Sequence, residues 1–326
     1  MKNILCVCAY VYGTIYQGWI PMYVYSIIRN HPEFHVRIYI DVRLRKDVKR
    51  LLDDLDQSKF DIVENFKEIY AEKEMEKRAL RWLIRDKALD KYKYIYMGDI
   101  DIYIVQEPEF LKRHLWDMEK NQRIYSNAVR MTWKDFIIGG VKKENRVYLF
   151  RLTGLHFYET KSYHDRLSDV QKELLWTMEH WEDIPIWKKL FLKKFILTDD
   201  ERVLYYLVRK AHLKLPTTSY QRYGNCKKCY RPEHGMHFGI GRETKAYELQ
   251  VKKDKQCGNY LRIQEWNKYF LAFIADYNVD GILRKFIDFD TYIQGIVSQT
   301  CKFFGYQISG DGIRKEDWSS NNGLGV

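Results

Sequence analysis

Near the start of the chain, apolar positions fall in short unbroken runs, with helical stripes between them. Ile4 to Ala9 is continuously apolar and closes at Tyr10 and Gly13, the mark of a strand covered on both faces. Cys6 and Cys8 share one face of that strand and read as core residues. Pro21 sits where a helix can begin, and the helix would run to about Arg29 before the Asn30-His31-Pro32 break. Val36 to Ile40 predicts a second strand ending at Asp41. Val48, Leu51, Leu52 and Leu55 follow at i, i+3, i+4 and i+7, which places them on one helical face. Asp61 to Val63 predicts a third strand. Lys73 to Leu89 predicts a charged helix with Met75, Ala79, Trp82 and Leu83 inward, and Tyr94 to Met97 a fourth strand. This alternation predicts an open, mainly parallel α/β sheet.

Beyond Gly98 the pattern loosens. Ile102 to Val105 reads as a strand, and Arg146 to Tyr158 as one or two more. Leu167 to Phe195 predicts helix in pieces, broken at Pro185. Asp199 to Leu213 predicts a helix with Val203, Leu204, Leu207 and Val208 as its apolar stripe. A loop rich in Gly, Cys and Tyr is expected over Tyr220–Arg242. Amphipathic helices carrying Trp266, Phe270, Phe273, Ile282 and Phe286 follow, and a frayed tail closes the chain.

Composition narrows the function classes. With 46% hydrophobic and 30% charged residues in 326, a largely disordered chain is excluded. No apolar run approaches the ~20 residues that span a bilayer. The opening MKNILCVCAY lacks the long apolar region of a signal peptide, so a cytoplasmic protein is expected. Six cysteines are too sparse for a disulfide scaffold. The charge of +11 and the 26 tyrosines suit a polyanionic partner or a membrane surface, without choosing between them.

Three Asp-x-Asp triplets occur: Asp54/Asp56, Asp99/Asp101 and Asp288/Asp290. The first and last read as solvated surface carboxylates. Asp99 and Asp101 differ, because apolar strand segments flank them on both sides. Two carboxylates there face a large desolvation cost unless a positive group meets them, and a hard divalent cation such as Mg²⁺ or Mn²⁺ meets it best. Alternating strand geometry would put both on one face at the carboxyl edge of the sheet, where open α/β sheets bind ligands. The alternative is a loop pair that caps backbone amides.

The segment Tyr94-Ile95-Tyr96-Met97-Gly98-Asp99-Ile100-Asp101-Ile102-Tyr103-Ile104-Val105 resembles the DxD segment of GT-A-fold, nucleotide-sugar-dependent glycosyltransferases, and is most similar to glycosyltransferase family 8. The resemblance implies a GT-A (Rossmann-like) sheet flanked by helices, over about 1–245. Its nucleotide-sugar half would be 1–105 and its acceptor half 106–245, followed by a helical region 246–318 and a tail 319–326. It implies a UDP-sugar donor, a glycan or lipid-linked glycan acceptor, and Mn²⁺ or Mg²⁺ on Asp99, Asp101 and a histidine. Arg81 in Arg78-Ala79-Leu80-Arg81-Trp82-Leu83 matches the family's arginine near the nucleotide-sugar, beside Gly98 and Ile100. Asp200 and Glu201 match its helix start near the donor sugar, with Glu201 where the family has Gln. His234-Gly235-Met236-His237-Phe238-Gly239-Ile240-Gly241-Arg242 resembles the C-terminal His/Gly/Lys motif, with His237 as metal ligand, His234 as the alternative and Arg242 on the diphosphate. Leu152-Thr153-Gly154 stands where the family has Asn-Ala-Gly.

Read from the residues, Ala9, Tyr10 and Tyr12 follow the first strand at a sheet edge, where backbone and ring can hold a base. Surface packing explains the tyrosines equally. Asp41 can accept from a ribose or serve as a strand-end turn residue. His156 can face an acceptor cleft or lie hydrogen-bonded in the core. Asp200 and Glu201 can cap a helix as well as hold a sugar.

Rival readings start from Cys226-x2-Cys229 with His234, His237 and Cys257, which invites structural zinc, although only four residues separate Cys229 from His234. No Arg-rich block or nucleic-acid-binding module is present, so no nucleic-acid partner is expected. A sugar-phosphate nucleotidyltransferase would need a glycine-rich loop after the first strand. Lys252-Lys253, Arg284-Lys285 and aromatic residues lead to an expected peripheral contact with the inner membrane face, against the alternative of a solvated basic surface.

Overall fold

A computed structural model of the protein describes residues 4–66, 77–129, 150–216, 233–256 and 260–316. Its central sheet contains β1 (Leu5–Val11), β2 (His35–Ile40), β3 (Phe60–Val63), β4 (Tyr94–Gly98), β6 (Tyr125–Ser126) and β7 (His156–Glu159). The spatial order is β3-β2-β1-β4-β7-β6. The first four strands are parallel, whereas β7 runs antiparallel to β4 and β6 antiparallel to β7. The chain is therefore a mixed α/β protein with a six-stranded, mostly parallel sheet. A second small sheet pairs β5 (Ile102–Ile104) with β8 (Gly235–His237).

The apolar run of β1 is buried along its whole length. Leu5, Val7, Ala9 and Val11 enter one core, and Cys6, Cys8 and Tyr10 enter the other, so one strand supplies both faces. The first core is closed by α1 (Ile20–Asn30), α2 (Lys46–Leu52), α3 (Phe110–Asn121) and the C-terminal helices. The second is closed by α4 (Thr160–Glu179), α5 (Ile186–Phe195), α6 (Asp200–Lys210) and the segment Lys77–Leu83. α7 (Gly239–Arg242), α8 (Thr244–Gln256), α9 (Leu261–Val279), α10 (Gly281–Asp288) and α11 (Thr291–Phe303) complete the helices, before a hairpin of β9 (Tyr306–Ser309) and β10 (Gly312–Lys315). Trp266, Phe270, Phe273, Ile287 and Val297 pack in the same cluster as Val7 and Tyr96.

Several expectations need correction. Lys77–Leu83 and Lys87–Lys91 are short 3₁₀ turns instead of one helix; Lys73 to Glu76 lie outside the described residues. Ala79 to Leu83 are buried without interruption, so the segment has no solvent face to make it amphipathic. Asp86 then breaks the path by accepting from the Ala88 amide at 2.9 Å. The expected loop before Arg242 contains β8 and α7. The C-terminal region expected as helical ends in the β9–β10 hairpin. Asp290 is not merely solvated: it caps α11 through the amides of Tyr292 and Ile293 and receives Arg45 at 2.9 Å. The strand expected over Arg146–Tyr158 is described only from Phe150, with an isolated bridge of Leu152 to Val129 followed by β7.

Candidate active site

β1 and β4 lie side by side at the centre of the sheet, with Ala9 opposite Gly98. β2 flanks β1 on its other side, so the chain's crossovers part on either side of β1, the place where open α/β sheets leave a crevice. At the carboxyl ends of β1 and β4 the protein forms a cleft of about 630 Å³. Tyr10, Val11 and Tyr12 from the end of β1 and Asp99, Ile100 and Asp101 after β4 line it.

Asp99 and Asp101 do not continue a strand. They occupy the turn between β4 and β5, and both reach the cleft. The Phe238 amide donates to the Asp101 carbonyl at 2.9 Å, and Ile102 pairs with His237 across the small sheet. This register brings His237 Nε2 to 3.3 Å from Asp101 Oδ1. Gly235 makes the approach possible, since a Cβ there would collide with the Tyr103 carbonyl.

On the opposite wall, Asp199 caps α6 by accepting from the Glu201 and Arg202 amides at 3.0 and 3.3 Å. Asp200 and Glu201 form the first turn of α6 and line the cleft. Arg81 joins the two walls. Its Nη1 donates to Asp99 Oδ1 at 2.7 Å and its Nη2 to Asp200 Oδ2. Arg242 donates to Asp101 Oδ2 and to the Tyr16 hydroxyl. Each Asp of the pair thus faces an arginine.

Charge in this site is fixed by partners. Burial works against the charge on Arg81, but Asp200 and Asp99 outweigh it and raise its pKa, so the guanidinium stays ionised. Burial pushes Asp101 upward, yet His237 and Arg242 hold it below the usual carboxylate range. Burial pulls His237 down, and Asp101, Glu233 and Asp99 reverse this to a raised value.

Of the residues singled out in the sequence, Tyr10, Tyr12, Arg81, Asp99, Ile100, Asp101, Asp200, Glu201, His237 and Arg242 line this one cleft. Ala9, Asp41, Gly98 and His156 are not among its lining residues. Ala9 and Gly98 are buried sheet residues. Asp41 accepts from the Gly13 amide at 2.8 Å and tethers the turn after β1, whose Gly13 has a φ of +71°. The acceptor role expected for His156 is corrected: its ring is fully buried beside Trp82, Tyr125 and Tyr163, and Nδ1 meets Asn127 at 2.9 Å. Burial, then Arg123 and Arg81, push its pKa down to about 3, so it is neutral. His234 is likewise remote from the aspartates. It bonds Glu107 at 2.6 Å and His114 at 2.8 Å in the core. Cys226, Cys229 and Cys257, the remaining members of the zinc expectation, lie outside the described residues.

Sequence reasoning missed Arg151, Arg262, Tyr16, Tyr247 and Trp266, which also line the cleft. None carries a motif signal. Arg151 reaches it through an ion pair with Asp199 at 2.9 Å.

Two carboxylates and an imidazole are a donor set suited to a hard divalent ion. The ionised, buried Asp101 beside His237 fits such an ion in chemistry. Among the described residues, however, no three His, Cys, Asp or Glu side chains are drawn together as a ready cation site. Arg81 and Arg242 must release the aspartates before a cation can take them.

No family model matches this sequence, and no curated protein matches it. Solved structures give partial likenesses. The galactosyltransferase LgtC, in complex with donor and acceptor sugar analogues, aligns over 61% of this chain and 69% of its own, at 11% identity and TM-score 0.35. The bifunctional glycosyltransferase WbbM aligns over 67% and 39%, at 11% identity and TM-score 0.39. The mannosyltransferase Ktr4p from S. cerevisiae, in complex with GDP, aligns over 62% and 65%, at 11% identity and TM-score 0.34. Likenesses of this size carry neither family nor reaction; the cleft's own residues must do so.

Proposed function

We propose that the protein is a glycosyltransferase that moves a hexosyl group from a UDP-sugar to a hydroxyl of a glycan or lipid-linked glycan, with Mn²⁺ or Mg²⁺ as cofactor. One observation carries this reading: Asp99 and Asp101 stand at the carboxyl end of the central parallel strand, each against an arginine, in a cleft that also holds Asp200 and His237. Its volume of about 630 Å³ suits a ligand of nucleotide-sugar size. The uridine donor follows the resemblance of the Asp99 segment.

The costly feature of such a transfer is negative charge growing on the departing diphosphate. A cation on Asp99, Asp101 and His237 would supply Lewis-acid neutralisation of that charge. Arg81 and Arg242, once detached from the aspartates, become donors for phosphate oxygens from opposite walls. Tyr10 and Tyr12 offer rings and backbone to the base. Asp200 and Glu201 present carboxylates to sugar hydroxyls, held at the first turn of α6 by the Asp199 cap. Surface polysaccharide or glycolipid synthesis is the setting this chemistry serves.

The experiment is a panel of nucleotide-sugars with and without MnCl₂, read by thermal shift and by hydrolysis of the donor. The expected result is a stabilisation and turnover that need both ligands and disappear in Asp99→Asn. Full response in that variant, or a response to every nucleotide without metal, would overturn the assignment.

A further inference from the structure

We propose that α5 is a docking surface for an anionic lipid bilayer. A helix at the surface of a folded domain normally turns its apolar stripe inward. In α5 this is reversed. Ile186, Trp187, Leu190 and Phe191, at i, i+1, i+4 and i+5, share one side and are 69, 68, 63 and 50% exposed. Among the described side chains of α5, Leu192 is buried and holds the helix to the domain, aided by Lys189 on Glu182 at 2.9 Å and by Lys193 over the Trp181 ring at 5.2 Å. Elsewhere among the described residues, large exposed apolar side chains stand singly or in pairs along the chain. Four within six residues form a patch of the kind that marks an interaction site.

Charge selects the occupant. From Ile186 to Phe195 the helix carries Lys188, Lys189, Lys193 and Lys194 and no acidic residue. Lys189 is held by Glu182, so the attraction falls to the remaining lysines, whose ammonium groups can reach a headgroup layer. A short basic helix with tryptophan and leucine outward matches an interfacial helix that lies in the plane of a membrane. No described helix is long and apolar enough to cross one. α5 also leads, through residues 196–199, directly into Asp200 on the cleft wall. This inference does not depend on the proposed reaction.

The test is co-sedimentation of the full chain with phosphatidylcholine vesicles and with vesicles that also contain phosphatidylglycerol. Binding should rise about tenfold or more with the anionic lipid and be reversed by salt. Trp187→Ser with Phe191→Ser should lower it about tenfold while the melting temperature stays within a few degrees. Lys188→Glu should weaken the preference for the anionic lipid severalfold without unfolding. Equal recovery of wild type and variants with both vesicles would overturn the inference. So would a dimer that the serine pair abolishes while vesicles leave the wild-type chain in the supernatant, since α5 would then face a second copy.

Discussion

Arg81 and Asp200, 119 positions apart in the chain, meet in a buried ion pair that ties the segment beneath β1 to the first turn of α6. The same guanidinium holds Asp99, so one side chain links two acidic groups on facing walls of the cleft. Replacing Arg81 with Ala should cost about 3–5 kcal/mol, because buried carboxylate would lose its partner. Lys cannot offer the two-armed fork, so Arg81→Lys should recover only part of that stability. Urea unfolding of the three proteins measures both effects.

Gly154 backs this arrangement. A Cβ there would overlap Arg81 Nη2 and lie 3.7 Å from Asp99 Oδ1. Gly154→Ala should therefore push Arg81 off its partners at a cost of about 1–3 kcal/mol. On the proposed reaction, turnover should fall about a hundredfold, because small displacements of positioning groups are amplified. Comparing turnover with the unfolding midpoint separates the two.

The two aspartates should respond differently to removal. The Asp99 side chain is 27% exposed, whereas that of Asp101 is 4% exposed and serves both Arg242 and His237. Asp99→Asn should keep the fold and remove the thermal response to Mn²⁺. Asp101→Asn should remove that response and also destabilise the chain by about 1.5–3 kcal/mol, the worth of hydrogen bonds to charged groups. Calorimetry with and without Mn²⁺ checks both.

A pH effect arises away from the cleft. Burial, then Glu233 and Glu107, push the Glu265 carboxyl from 4.5 up to about 7. The unfolded chain loses this proton near 4.5 while the folded chain keeps it up to about 7. Stability from this group is therefore lost as pH rises through that window and levels off above it. Glu265→Gln should match the wild type near pH 4 and exceed it by about 3 kcal/mol at pH 8. Unfolding free energies of the two proteins across that range give the difference directly; a constant difference would contradict it.

Local patterns along the chain suffice to place the β1 to β4 strands, the α1 and α6 helices, and Asp99 and Asp101 as unusual carboxylates. These follow from short-range rules: an apolar run such as Leu5–Val11 needs cover on both faces, and a cap such as Asp199 acts on amides two and three residues ahead. The folded arrangement sets which charge meets which. Arg81–Asp200, Arg242–Asp101 and Arg151–Asp199 join distant segments, and no local pattern encodes a partner. It also decided that His237 enters the cleft while His234, three residues earlier, is sealed against Glu107. The pairing of β5 with β8 fixes that outcome, and a strand pairing is a contact between distant parts of the chain. The outward stripe of α5 belongs to the same class, because an apolar face declares its direction only when the rest of the domain has packed.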